Sequence, residues 1–265
     1  MFDFLGPIKN LWETTFLAGV KWGLLGLDHT FAGVPGLEAI GAYGLAIIAL
    51  TIIIKLLLAP LYQLQLSLSR KSMNQQRKLA PEVAKLKKKY KGDPQKLNTA
   101  TMELYKEHGV NPLGGLAGCL PAVAQFPILT ALYWAFLQFK VPDAHFLFIP
   151  TLLDSPSKHT LIHGLPLVPT VVFAIIPLLA AASTYVQAKM MQQPPNPLAT
   201  EQELQAQQMT KSMSMMMPLM IAYFAIVTPA GLGLYWFISN CVAIIQQYFV
   251  TGWGQLPIPG RGTAN

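Results

Sequence analysis

A lysine stands inside the longest apolar run of the chain. Lys55 interrupts Tyr43 to Leu64 (YGLAIIALTIIIKLLLAPLYQL), a stretch long enough to cross a hydrocarbon core of about 20 helical residues. A Lys at the centre of such a helix costs about 2.5–3.5 kcal/mol to insert, so it marks a functional position by default. Read as one continuous span, the run puts Lys55 near its middle, nine residues from its inner end and roughly 13 Å of helix rise away. Snorkelling over that distance is difficult, and a wet cavity is the expected surrounding. Thr51 lies one turn earlier on the same face. Gln125 stands in a second apolar run, and Trp236 and Asn240 share a face of the last one. The chemistry open to these residues is electrostatic: a fixed positive charge with neutral polar neighbours attracts an acidic or polar group. Gln125 and Asn240 are equally suited to hydrogen bonding between helices, and Trp236 to an interface belt. No Asp or Glu occurs in any of the apolar runs, so an ion pair within the membrane is excluded for Lys55.

Other chemistry is not provided for. There is no phosphate-binding glycine loop, no zinc spacing and no Ser/His/Asp constellation, so neither an enzyme nor a cofactor is expected. Cys119 and Cys241 sit in apolar segments and read as inert buried thiols. His159 and His163 stand at i, i+4 but have prolines nearby, a weak metal pair. Six of the eleven methionines fall between Met209 and Met220, a stripe best read as packing or lipid-facing filler.

The elements that must position Lys55 follow from composition. Of 265 residues 52% are hydrophobic and 12% charged, half the charge a soluble domain carries, so lipid must cover part of the surface. The expected fold class is an all-α integral membrane protein with five transmembrane helices at 41–65, 119–139, 165–187, 212–227 and 232–250. Thr228-Pro229-Ala230-Gly231 turns the last two into a hairpin. Residues 140–164 form an external loop, 188–211 a cytoplasmic loop and 251–265 a short cytoplasmic tail. Residues 1–40 are interrupted by Lys21, His29, Gly33 and Pro35, and predict an amphipathic helix on the outer interface rather than a sixth span.

Charge orients the whole. Ser69 to His108 holds eleven of the nineteen Lys and Arg residues against four acidic ones, a net +7 that equals the net charge of the chain. The positive-inside rule places this segment in the cytoplasm, the N-terminus outside and the C-terminus inside. No cleavable signal peptide or transit peptide is visible, which points to a bacterial plasma (inner) membrane. Within 66–110, Leu79, Val83, Leu86 and Tyr90, then Leu97, Met102, Leu104 and Tyr105, repeat with helical period. Gly92-Asp93-Pro94 breaks them, Asp93 serving as cap and Pro94 opening the second helix, which predicts a helical hairpin. Its charge, from Lys85, Lys87, Lys88, Lys89 and Lys91 among others, suits anionic lipid, and equally a recruiting arm for a ribosome or targeting factor. It lacks the interleaved aromatics that nucleic-acid readout needs.

Ordered blocks of residues then carry a resemblance. Tyr43-Gly44-Leu45-Ala46-Ile47-Ile48 with Thr51, the charge at 55 and Pro60-Leu61 form the first. Pro81-Glu82, Lys89-Tyr90-Lys91, Leu104-Tyr105-Lys106 and Asn111-Pro112 follow. Gly118-Cys119-Leu120-Pro121 with Gln125, Pro127-Ile128 and Ala131-Leu132-Tyr133 is the most specific. Pro229-Ala230-Gly231-Leu232, Leu234-Tyr235-Trp236, Ser239-Asn240 and Gln246-Gln247 complete the set. In this order and spacing the chain, from about Gly41 to Tyr248, resembles the YidC/Oxa family of membrane protein insertases. The resemblance implies a five-helix core with a hydrophilic groove open to cytoplasm and lipid. There Lys55 matches the family's groove arginine, and Thr51, Gln125 and Trp236 match other groove positions. It also implies that the basic hairpin is a mobile recruiting arm, that clients are nascent membrane proteins, and that the ribosome and the Sec translocon are partners. Lysine in place of arginine keeps the charge but loses the planar fork. Three further residues precede Gly118, and there is no large external domain. The competing class is a small secondary transporter or channel with Lys55 as its substrate site; no inverted repeat supports it.

Overall fold

Pro60 divides the first apolar run. It has no N–H to give the carbonyl four residues back, and its ring crowds that carbonyl. In the computed structural model the helix carrying Lys55, Ala42–Leu57, stops at Leu58, and a new helix opens at Ala59 with the proline in its first turn. The continuous span expected at 41–65 is thus two helices, and Lys55 lies in the last turn of the first rather than near its middle. The structure describes residues 10–90, 92–109, 120–138, 141, 143–162, 165–192, 201–254 and 256. Among them the secondary structure is helical, with two isolated β-bridges: α1 (Ala18–Ala32, entered through a π-turn at Glu13–Leu17), α2 (Ala42–Leu57), α3 (Ala59–Lys89), α4 (Pro94–Glu107), α5 (Leu120–Gln138), α6 (Val171–Met191), α7 (Glu201–Val227) and α8 (Ala230–Thr251). Among the described residues, α6 is long and apolar enough to cross a membrane by itself, and α2 is so when joined to Ala59–Ser72. Lys91, Gly118, Cys119 and His163 lie outside the described residues.

The chain groups into two units. The first comprises Met1–Leu58, Ala122–Gln187 and Met216–Ile244. Its core collects Leu24 from α1, Tyr43, Ala46 and Ile47 from α2, Leu132, Ala135 and Phe136 from α5, Phe173 and Ile176 from α6, and Leu234 and Tyr235 from α8. The outer faces of α5, α6 and α7 are apolar as well: Phe126, Leu178, Leu219, Met220 and Phe224 are all exposed. All six methionines of the 209–220 stripe are exposed too, which places them on the surface of α7 rather than in its packing.

The N-terminal helix departs from expectation. Leu17, Val20 and Leu24, spaced i, i+3, i+7, are buried, and Gly23 lets Leu50 of α2 approach closely. Lys21 bonds Gln138 at the end of α5, while the Trp12 indole N–H donates to the Pro127 carbonyl at 3.4 Å, half-way down that helix. So α1 and the turn before it run parallel along α5 and pack into the bundle instead of lying across its end as an interfacial helix. The reason is that its buried face has the helical spacing of a core-facing stripe, while exposed Leu11, Phe16, Trp22 and Leu25 keep the opposite face apolar.

The 141–170 loop is held to the helix starts by backbone. Leu147 N–H donates to Ile40 O (2.7 Å), Gly231 N–H to Leu152 O (2.8 Å) and Ala230 N–H to Asp154 O (2.9 Å). Gly41, at φ +106°, meets the loop so closely that a Cβ would stand 2.2 Å from the His145 carbonyl oxygen. Gly36 has φ +91° and open space around it. Both alanine substitutions pay about 1–2 kcal/mol for the left-handed backbone. Gly41→Ala must also displace the loop, so its thermal midpoint in detergent should fall well below that of Gly36→Ala; equal midpoints would refute this packing.

The second unit comprises Ala59–Pro121, Ala188–Met215 and Ile245–Asn265. Here α3 and α4 pair through buried Leu79, Val83 and Tyr105, with Leu104 against them. Asp93 caps α4 by accepting from Lys96 N–H (3.1 Å), and Pro94 is the first residue of that helix. Lys87, Lys88 and Lys89 fill the last turn of α3, where the carbonyl end of the helix favours cations. The Lys96 backbone and side-chain bonds hold the Asp93 carboxyl below its ordinary range. A depressed carboxylate contributes its stability above the unfolded-state pKa and loses it as pH falls through the folded value. Protection from hydrogen exchange in the first turn of α4, taken relative to the intrinsic exchange rate at each pH, should fall in acid for the native protein. It should stay constant with pH for Asp93→Asn, which caps without titrating.

Candidate functional site

Three helices of the first unit bring polar groups together at Lys55. α2 supplies Lys55, whose ammonium donates to Gln125 Oε1 of α5 at 3.3 Å. The Gln125 amide N–H in turn donates to the Tyr235 hydroxyl of α8, and Ser239, one turn on, bonds the same phenol. The amide therefore uses both its ends, one on the cation and one on a buried tyrosine. That fixes which face of Gln125 meets Lys55 and aims the ammonium. Its partner is neutral, and among the described residues no carboxylate pairs with Lys55, so no opposite charge cancels that of the ammonium. The end of α2 offsets part of the insertion cost, because unpaired carbonyls in a last turn favour a cation by about 0.3–1 kcal/mol.

The other expected residues separate. Thr51 is 1% exposed, and its hydroxyl donates to the Ile47 carbonyl of its own helix at 2.6 Å. It faces the packed interior rather than an open groove. Trp236 is half-buried beside Tyr235 and makes no hydrogen bond among the described residues. Asn240 joins a different cluster: its amide donates to Ser183 Oγ (3.1 Å) and Thr184 Oγ1 (2.8 Å) of α6. All three are buried, so Asn240 serves the interhelical hydrogen-bonding alternative and does not reach Lys55. His159 stacks on Phe173 at 4.1 Å and faces Asp154, while its expected metal partner His163 lies outside the described residues.

Sequence reading passed over Tyr235 and the Ser183-Thr184 pair. Tyr235 carried a signal, since it and Ser239 stand one turn apart in an apolar helix and phenols so placed need partners. Two adjacent hydroxyls in α6 were a comparable cue for a polar partner on a neighbouring helix. Removing the amide by Asn240→Leu should cost roughly 0.6–2 kcal/mol in unfolding from mild detergent. Adding Ser183→Ala and Thr184→Val to it should cost clearly less than the sum, because the three share one network. Strict additivity would show that the cluster does not act as a unit.

Comparison with known proteins agrees with this architecture. Residues 37–255 match the family described as 60Kd inner membrane protein. A membrane protein insertase YidC of Halalkalibacterium halodurans is 35% identical over 249 residues, 92% of this chain and 80% of the relative. That of Fusobacterium nucleatum is 38% identical over 212 residues, 80% and 87% of the two chains. In Pseudomonas fluorescens the match is 36% over 212 residues, which are only 32% of that longer protein. An active YidC insertase crystal structure with the first transmembrane domain resolved superposes with a TM-score of 0.56 at 24% identity, over 90% of this chain and 47% of the other. At that identity the likeness concerns the fold alone. With a matched profile over most of its length and relatives of similar size above 30% identity, this chain belongs to the YidC/Oxa family of membrane protein insertases.

Proposed function

We propose that the chain inserts nascent membrane proteins into the bacterial inner membrane, with Lys55 as the charge that draws a client's polar or acidic flank part-way through. The observation that carries this reading is the ammonium held by neutral Gln125, which Tyr235 holds in turn: its charge is oriented but not cancelled. Trp236, half-buried next to them, supplies an apolar wall against which a client segment can slide. A hydrophilic groove open to cytoplasm and lipid is the setting, bounded by five crossings. No nucleotide is required, because transferring the client's apolar segment to lipid releases about 25 cal/mol per Å².

The basic hairpin of α3 and α4 faces the cytoplasm in this reading, as does the C-terminus. Lys85, Lys87, Lys88, Lys89 and Lys91 recruit the ribosome or the Sec translocon by charge, without reading nucleic-acid sequence. With five crossings and the basic segment inside, the N-terminus lies outside in this reading.

The test is insertion of an acidic-tailed client into proteoliposomes. Lys55→Arg should insert at close to the native rate. Lys55→Leu should slow insertion at least about fivefold, equivalent to losing ~1 kcal/mol of attraction, and Lys55→Glu should slow it more. A stalled client should crosslink to probes at 55, 125 and 236 but not at buried 51. Native rates in Lys55→Leu would remove the charge-attraction step, and solute flux without insertion would favour a transporter.

A further inference from the structure

Within the second unit, one face of α3 forms the wall of a cavity of about 460 Å³ that the insertion reading does not use. Ser67, Arg70, Lys71, Asn74, Gln75 and Lys78 recur at i, i+3, i+4, i+7, i+8 and i+11, a single helical stripe, and Val250 near the end of α8 lies opposite. Three cations thus line one space with no carboxylate among its walls. Arg70 is anchored there, one guanidinium N–H donating to the Val250 carbonyl at 2.5 Å. A guanidinium has five N–H donors, so four remain. Lys71 and Lys78 make no ion pair or hydrogen bond among the described residues. Three like charges gathered beside two amides repel each other until an anion joins them.

Exposed apolar side chains close in sequence to the lining residues indicate which anion. Leu64 and Leu68 on α3 are exposed, and so are Tyr248, Phe249 (80%) and Trp253 at the end of α8. The rings cluster, Tyr248 lying 4.8 Å from Trp253 and 5.7 Å from Phe249. Aromatic side chains of this kind collect at the level of lipid headgroups. A free anion needs only the cations; a ligand carrying both a phosphate and acyl chains also uses exposed apolar side chains on the same two helices. We propose that this cavity binds the phosphate headgroup of an anionic phospholipid, with Arg70, Lys71 and Lys78 on the phosphate and Asn74 and Gln75 on the headgroup's polar part. The proposal rests on the reading that this end of α8 lies at the cytoplasmic face, where anionic lipid meets basic residues.

Native mass spectrometry of the full chain in detergent, titrated with phosphatidylglycerol or phosphatidylcholine of the same acyl chains, tests the site without reference to orientation or insertion. The native protein should retain phosphatidylglycerol preferentially. Lys71→Gln/Lys78→Gln should weaken that retention roughly tenfold or more, as expected for two lysine contacts. Lys71→Arg/Lys78→Arg should keep it, which shows that the glutamine pair lost charge rather than fold. Lys85→Gln/Lys88→Gln, an equal charge loss elsewhere on α3, should leave it within about twofold, since no pocket contact is removed. Equal loss in both glutamine pairs, or no preference for phosphatidylglycerol, overturns the site. Displacement by inorganic phosphate as readily as by phosphatidylglycerol assigns the cavity to a free anion and overturns the lipid. Client insertion by the Lys55 variants reads the insertase claim separately, and either claim can fail while the other stands.

Discussion

An uncancelled charge inside an apolar helix bundle is the constraint around which the first unit is arranged. Lys55 costs a few kcal/mol to hold there, and the bundle offsets that cost with dipoles rather than with an opposite charge. Gln125 gives its carbonyl oxygen to the ammonium and its N–H to Tyr235. The last turn of α2 adds its own carbonyl field. A carboxylate in place of Gln125 would have stabilised the cation more, but would have left nothing for a client to bind. Neutral partners leave the charge uncancelled, which is what the proposed attraction of a client's flank requires.

The helices that carry those dipoles are positioned by close packing at their far ends. Gly41 and Gly44 allow the 141–170 loop onto the start of α2, with Phe146 against Gly44 where a Cβ would stand 2.2 Å from its ring. Gly231 does the same at the start of α8, between Ile47, Phe136 and Leu152. Loop backbone then bonds directly to Ala230 and Gly231 N–H, two of the donors that a helix start leaves open. The Asn240–Ser183–Thr184 cluster ties α8 to α6, and α1 fills the side along α2 and α5. These contacts fix where α2, α5 and α8 lie against one another, and so bring the ammonium, the amide and the phenol together.

Much of this could be read from residue order. The odd lysine, the missing carboxylates, the +7 segment, the Asp93-Pro94 cap and the ordered motif blocks each follow from residue type and spacing, which local physics interprets without coordinates. Helix content followed for the same reason. Where the reading of α1 went astray, the signal was ambiguous: Lys21, His29 and Trp22 suit an interface, yet Leu17, Val20 and Leu24 on the other face suit a core, and only a partner decides between them.

What the sequence determined by itself is the class of the protein and the charge at its centre, because composition, charge asymmetry and motif order do not depend on how helices meet. Tertiary structure alone decided the partners. Gln125 was joined to Lys55 on one side and to Tyr235 on the other. Asn240 was assigned to α6, Thr51 to the interior and α1 to the bundle. Each of those outcomes depends on which face of one helix lies against which face of another, a long-range choice that a one-dimensional pattern does not contain.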